Sequence, residues 1–273
     1  MDESVAATSD IRLHSIADRI GVAPGVMMPR LGLGTSRAHG RELTRTILAA
    51  FELGYRLIDT SANYFNEEAV GEAIAQGGVP RGEIFVTTKL EGPDQGYRSA
   101  PRGLQGSLKR LGLDYVDLYL IHWPNARLTS ETWRAMEELR QAGLARSIGV
   151  SNFETSDLDQ LLSTATMPPA VNQLQLNPTV QRRDIQAYCR ERGITLEAWA
   201  PIMRGHVDDV RVLAEIGRHH SKSPAHVSLR WILQKGIVAI PKTVHDARLR
   251  ENANLYDFEL TTDEMQAIDA LEE

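Results

Sequence analysis

Short apolar runs alternate with longer amphipathic stretches along almost the whole chain. The runs are Arg30 to Gly34, Arg56 to Asp59, Ile84 to Lys89, Val116 to Ile121, Ser147 to Val150, Ala170 to Leu174, Thr195 to Trp199 and Ile237 to Ile240. Helical periodicity marks stretches between them, such as Leu43 to Leu53, Glu67 to Ala75, Ser130 to Gln141, Thr155 to Leu162, Asp184 to Glu191 and Pro224 to Leu233. Asn66 before two glutamates and Ser223 before Pro224 have the residue types of helix N-caps. Eight repeats of strand and helix predict an α/β fold closed on itself, a (β/α)8 TIM barrel. Ahead of it, Ile11 to Met28 carries the turn signals Gly21 and Pro24-Gly25 and reads as a β-hairpin closing the barrel floor. No linker, repeat or low-complexity tract divides the chain, so residues 1–273 are expected to form one domain.

Composition narrows the setting. Apolar residues make up 42% and charged residues 24%, enough for a large core and unlike a disordered chain. The only cysteine is Cys189, which excludes an intramolecular disulfide and fits a reducing compartment. The first twenty residues contain acids and lack the apolar core of a secretory signal, and no stretch of some 18 apolar residues occurs. A cytoplasmic monomer is therefore expected, without a membrane partner. A net charge of −6 argues against nucleic-acid binding, so an anionic ligand needs a local positive site. The acidic ending, Thr261 to Glu273, reads as a solvated helix face.

The chemistry sits at the ends of the apolar runs. Asp59 ends the second, Lys89 the third, His122 follows the fourth, Ser151-Asn152 the fifth, Gln173 lies in the sixth, Trp199 ends the seventh and Lys242 follows the eighth. Active sites of such barrels lie at the C-terminal strand ends, so one polar or aromatic group per strand, always at that end, reads as a single site. A lysine in a barrel mouth needs a counter-ion, which Asp59 can supply. Its ammonium can lower the pKa of a nearby phenol, here Tyr64, and make it a better acid. His122 can donate a hydrogen bond to a substrate oxygen. Further on, Thr243 can cap a helix whose N-terminus, beside the last strands, is a ready phosphate site. Arg248, Glu251 and Asn252 share one face of that helix. His219-His220 cannot face one ion, so no metal is expected. A Schiff-base lyase built on Lys89 and a non-catalytic nicotinamide-binding protein remain alternatives.

The motifs GLGT from Gly32, GYRLIDTSANYFNEEAVGEAI from Gly54, VTTKL from Val86, LYLIHWP from Leu118, IGVSNF from Ile148, VNQLQLNP from Val171 and IPKTVHDARLRENANLYDFELT from Ile240 give the chain a resemblance to the aldo-keto reductase family. Within it, the chain resembles bacterial, 2,5-diketo-gluconate reductase-like members. The resemblance implies reduction of an aldehyde or ketone by NADPH, leaving NADP+, with Asp59, Tyr64, Lys89 and His122 as catalytic tetrad and Tyr64 as general acid. It implies that Ser151, Asn152 and Gln173 hold the nicotinamide carboxamide and that Trp199 stacks on the ring, where the family usually has tyrosine. It assigns Lys242, Thr243 and Arg248 to the 2′-phosphate, and Glu251 and Asn252 to the adenine-ribose end. Pro201, Ile202, Arg204 and Gly205 are expected along the pyrophosphate. Gly34, Thr35, Ala200 and Val244 are counted with the same cofactor site, and Trp123 with the small-molecule carbonyl substrate. GLGTS is no dinucleotide fingerprint, since no G-x-G-x-x-G opens a helix there. Family members often place an aromatic residue after the Lys-Leu pair and a covering tail at the end. This chain has Leu90-Glu91-Gly92, a short Trp123 to Leu128 loop and an end at Glu273, from which an open, tolerant pocket is expected.

Overall fold

The computed structural model of the chain describes residues 12–272. Two antiparallel strands come first, β1 (Arg19–Ala23) and β2 (Val26–Pro29). Eight parallel strands follow in sequence order: β3 (Leu33–Gly34), β4 (Leu57–Asp59), β5 (Phe85–Leu90), β6 (Val116–Ile121), β7 (Ala145–Ser151), β8 (Val171–Gln175), β9 (Thr195–Trp199) and β10 (Val238–Ile240). The expected runs and the observed strands agree to within a few residues. Parallel bridges from Leu31 to Ala239 and from Gly34 to Lys242 join the two edges into a barrel. Closure needs the glycine: a Cβ on Gly34 would stand 2.9 Å from the Ile240 carbonyl oxygen.

Period-two alternation divides each strand between two cores. Ile58, Val86 and Leu174 face outward to the helices, whereas Leu57, Phe85, Leu118, Val171 and Val238 fill the lower barrel. Val22, Val26 and Met28 of the hairpin pack into that inner cluster, so β1 and β2 plug the floor as expected. The turn is made by Pro24-Gly25, with Gly25 at φ 72°. Gly21, by contrast, does not turn the chain; it pairs with Met27 inside β1. The expected start of the hairpin, Ile11, lies outside the described residues.

The outer layer comprises α1 (Gly40–Glu52), α2 (Glu67–Gln76), α3 (Ala100–Leu111), α4 (Thr129–Gln141), α5 (Thr155–Leu162), α6 (Arg183–Glu191), α7 (Arg211–His220), α8 (Pro224–Gln234), α9 (Asp246–Ala253) and α10 (Thr262–Asp269). The alternation is less regular than expected, because two helices, α7 and α8, share the connection from β9 to β10. Ser223 caps α8, accepting from the His226 N–H. Asn66 stands at the N-cap of α2 but makes no capping bond. Its side chain instead donates to the carbonyls of Thr35 and Ala38, both at 2.9 Å, and accepts from the Thr60 hydroxyl at 2.6 Å. Those partners lie on the loops after β3 and β4, and tertiary bonds win the amide over the local cap. The acidic ending is only partly a solvated face, since α10 buries Ile268 and Asp269 accepts from Trp231 Nε1 at 2.9 Å. Among the described residues no helix is long and apolar enough to cross a membrane.

One contact tests the packing of this layer. A Cβ on Gly71 of α2 would lie 2.1 Å from the carbonyl oxygen of Leu111, at the end of α3. Helix propensity alone says Gly71→Ala stabilises by about 1 kcal/mol. Overpacking against rigid backbone says it destabilises by about 1–3 kcal/mol, and we expect that sign in urea or thermal unfolding.

Candidate active site

The same alternation that fills the floor with apolar side chains brings polar ones to the level above. Lys89 is the second inward residue after Phe85 on β5, Asp59 the first after Leu57 on β4, and Gln173 the first after Val171 on β8. Glu197 of β9 pairs in register with Gln173. The ammonium of Lys89, 0% exposed, donates to Asp59 Oδ1 and Oδ2 at 2.7 and 2.8 Å and to the Thr60 carbonyl at 2.9 Å. Burial works against its charge, but Asp59, joined by Tyr64 and Glu197, outweighs burial and holds Lys89 protonated above its ordinary value. Gln173 Nε2 donates to both Asp59 Oδ2, at 2.8 Å, and Glu197 Oε2, at 2.6 Å. Burial, with the nearby charge of Asp59, pushes the Glu197 carboxyl well above the usual carboxylate range.

Tyr64 arrives on a 3-10 turn, Ala62–Tyr64, just past β4. The Ser61 hydroxyl oxygen caps that turn by accepting from the Asn63 N–H, and Phe65 at φ 52° turns the chain towards α2. The phenol oxygen then lies 3.5 Å from Lys89 Nζ. The expected drop in its pKa is not found. Burial raises the Tyr64 value, Asp59 adds to the rise, and Lys89 offsets only part of it. The reason is burial first: removing the phenol from water disfavours its anion by more than the ammonium, which is itself turned to two closer carboxylate oxygens, can restore. Tyr64 is thus fully protonated at neutral pH.

His122 follows β6, where its backbone N–H donates to the Leu90 carbonyl at 3.1 Å. Its ring meets Tyr64 edge-on, with centroids 5.9 Å apart. Ring nitrogen Nδ1 lies 2.6 Å from Glu91 Oε1, and that oxygen also accepts from the Ser61 hydroxyl at 2.5 Å. Trp123 is 55% exposed and stacks beside His122, and Phe65 is 84% exposed, so two apolar rings stand free next to the polar cluster.

A second group of expected residues joins the first through Gln173. The Ser151 hydroxyl donates to the Gln173 carbonyl at 3.0 Å. Asn152, at φ 61°, donates to the His122 carbonyl and to Ser151 Oγ, both at 3.0 Å, and accepts from Trp199 Nε1 at 2.9 Å. Trp199 is half-buried and packs against the upper side of the inner apolar cluster. Beyond it, Ala200, Met203, Arg204 and Gly205 all take positive φ, and Ser228 holds the Pro201 carbonyl at 2.6 Å. Ala200 and Arg204 stand with Asn177 on a cleft of about 320 Å³, and Ile202 is half-buried beside them. Gly34 is bridged to Lys242, and the buried Thr35 hydroxyl donates to the Asp59 carbonyl at 2.9 Å.

The third group surrounds α9. Its N-cap is His245, which gives no side-chain bond; Thr243 lies two residues upstream and accepts from the His245 N–H at 3.1 Å. The first-turn N–H groups are therefore left without a side-chain cap, which is the condition for anion binding at a helix start. Lys242 and Arg248 are exposed and have no ion pair or hydrogen bond with any described residue. Val244 is half-buried, Asn252 is buried, and Glu251 accepts from the Ser223 hydroxyl at 2.5 Å. Sequence reasoning missed Glu91, Glu197 and Ser61. A charged residue in the inward phase of Thr195 to Trp199 was the available signal for Glu197. For Glu91 it was an acid where an aromatic residue was expected.

A model of the Aldo/keto reductase family matches residues 30–273. The chain is 46% identical over 258 residues to the glyoxal reductase of Bacillus subtilis, covering 94% of each. It is 45% identical over 252 residues to the 9,11-endoperoxide prostaglandin H2 reductase of Trypanosoma cruzi, covering 91% of this chain and 89% of that one. The crystal structure of a Bombyx mori aldo-keto reductase in complex with NADP superposes with a TM-score of 0.89 at 35% identity, covering 95% of this chain and 94% of that one.

The buried pair yields a test that needs no substrate. Asp59→Ala strands the Lys89 ammonium and should cost about 3–5 kcal/mol of stability. Adding Lys89→Met should return most of that loss, since no charge is then left unpaired. Denaturant unfolding of the single and double variants checks it, and additive losses would mean the two side chains do not depend on each other.

Proposed function

The chain belongs to the aldo/keto reductase family, and from that premise we propose that it reduces aldehydes or ketones with NADPH, Tyr64 giving the proton. Family membership itself implies carbonyl reduction with a nicotinamide cofactor. The observation that carries the finer reading is the meeting of the Tyr64 hydroxyl with Lys89 at 3.5 Å, opposite the ring of His122 at the barrel mouth.

Reduction requires a group that gives a proton to the substrate oxygen as negative charge collects there. Tyr64 is protonated at neutral pH, and Lys89 beside it stabilises the phenolate left behind. The raised value makes Tyr64 a reluctant donor to water and a willing one only to an oxygen already becoming an alkoxide. Asp59 keeps Lys89 charged and in place. His122 donates a hydrogen bond to the same oxygen from the other side. A Schiff base on Lys89 is disfavoured, since an ammonium held above its ordinary value has no lone pair to attack with.

NADPH, when bound, supplies hydride. Trp199 offers a flat π-face whose edge is fixed by Asn152, a fit for a stacked ring. Gln173 spends its N–H groups on Asp59 and Glu197, leaving its oxygen to accept from a carboxamide. Lys242 and Arg248 are unpaired cations, Thr243 lies between them, and α9 presents an uncapped N-terminus, a fit for a 2′-phosphate. The Cys189 thiol is buried and free, which suits the cytoplasm. The relatives of nearly equal identity bear names from glyoxal to a prostaglandin endoperoxide. Phe65 and Trp123, exposed at the mouth, fit a broad range of carbonyls.

Two outcomes are expected. Tyr64→Phe should keep NADPH affinity and lose about 10² to 10⁴ in single-turnover reduction rate. Because burial raises the phenol above its ordinary value of 10.0, the rate loss that belongs to its deprotonation should fall above pH 10 and vanish in the variant. Arg248→Ala should weaken NADPH binding about tenfold or more and leave NADH nearly untouched, as titrated by fluorescence; equal losses would make Arg248 a structural residue.

A further inference from the structure

One of the two nitrogens of His122 is already committed. Glu91 Oε1 lies 2.6 Å from Nδ1, and the same carboxylate accepts from Ser61, whose oxygen caps the turn that carries Tyr64. Burial would raise this carboxyl, but hydrogen bonds from His122 and Ser61 outweigh burial and hold it below its ordinary value. Glu91 is therefore an anion at neutral pH and can only accept. An acceptor on Nδ1 draws the imidazole proton to that nitrogen. In a neutral ring, Nε2 then carries a bare lone pair, which repels a carbonyl oxygen. A ring that gives one proton to Glu91 and offers another to the substrate must hold two.

We propose that Glu91 is a positioning residue, which holds His122 through Nδ1 and obliges it to act on the substrate oxygen as the doubly protonated imidazolium. The inference rests on the reading of His122 as the group that polarises that oxygen. It gives the site two balanced pairs, Glu91 with His122 and Asp59 with Lys89. The developing negative charge then faces a cation on one side and the Tyr64 phenol on the other. One carboxylate sets both, since it fixes the His122 ring directly and the Tyr64 turn through Ser61.

Other titratable groups surround the pair. They are Tyr64 on the turn, Tyr119 on β6, Asp94 on the 3-10 turn after β5, and the deeper set of Asp59, Lys89 and Glu197. The variant Glu91→Gln separates them from His122. A glutamine can accept from Nδ1–H or donate to a bare Nδ1, so it readmits the neutral ring with its proton on Nε2. A rate decline owed to any other group survives this change, and one owed to His122 does not.

The test combines ring-nitrogen NMR of His122 in the full chain with the pH profile of kcat/KM for an uncharged aldehyde, in parent and Glu91→Gln. In the parent we expect Nδ1 to stay protonated. The rate should fall with rising pH at the same point where NMR reports loss of the second ring proton. In Glu91→Gln that decline should disappear, the rate at its acidic side should drop roughly tenfold to a hundredfold, and NADPH affinity should hold. A bare Nδ1 in the parent overturns the proposal, and this needs no variant to fold. So does a Glu91→Gln protein that keeps the parent rate and the parent decline. Failure of the general-acid reading looks different: Tyr64→Phe would retain activity while the His122 nitrogens stay as in the parent.

Discussion

A lysine ammonium with no exposed surface, sealed inside a barrel, is the constraint on which the site depends. Left alone it would shed its proton or unfold its surroundings, so two carboxylate oxygens and a backbone carbonyl must converge on it. That requirement fixes Asp59 at the end of β4 and shapes the backbone at Thr60. The carboxylate in turn draws Gln173, and Gln173 draws Glu197. What looks like a list of polar residues is one chain of electrostatic obligations that begins at Lys89. The acidity of Tyr64 is set by burial against the same pair, since burial raises the phenol, Lys89 lowers it in part and Asp59 adds to the rise.

The barrel can hold this polar level because its floor is dry. Hairpin residues Val22, Val26 and Met28 join Leu57, Phe85 and Val171 in a closed apolar plug. Water therefore cannot reach the ion pair from below. Since each strand changes character along its inward phase, the molecule has a built-in axis, with packing at one end and chemistry at the other. The connection after β4 supports the chemical end, as Asn66 gives up its capping role to staple two loops there.

The strands were legible because parallel strands buried on both faces leave continuous apolar runs, and the polar residues at their ends mark the mouth without ambiguity. Helix α3 was less visible, since Pro101, Gly103 and Gly106 dilute its periodicity. Whether Asn66 caps a helix or reaches for Thr35 depends on a neighbour thirty residues away, which local pattern cannot weigh. The direction of the Tyr64 shift could not be read either. A sequence shows that a lysine is near, but not how deeply the phenol is buried beside it. Glu91 belongs to the same class: as a residue it is a loop acid, and only the folded chain brings it to a histidine on the next strand.

Phe65 and Trp123 stand out for how little holds them, being 84% and 55% exposed. Neither ring is wedged into either core, whereas Asp59, Lys89 and Gln173 are locked among partners. The cost of change is thus divided unevenly over a few ångströms. Mutations at the rim alter which molecules find a surface to rest on and cost little stability, while mutations a layer deeper cost both fold and chemistry. Such a division lets a lineage explore new substrates by drift at the rim without risking its scaffold, and it makes those two rings natural first positions for directed evolution.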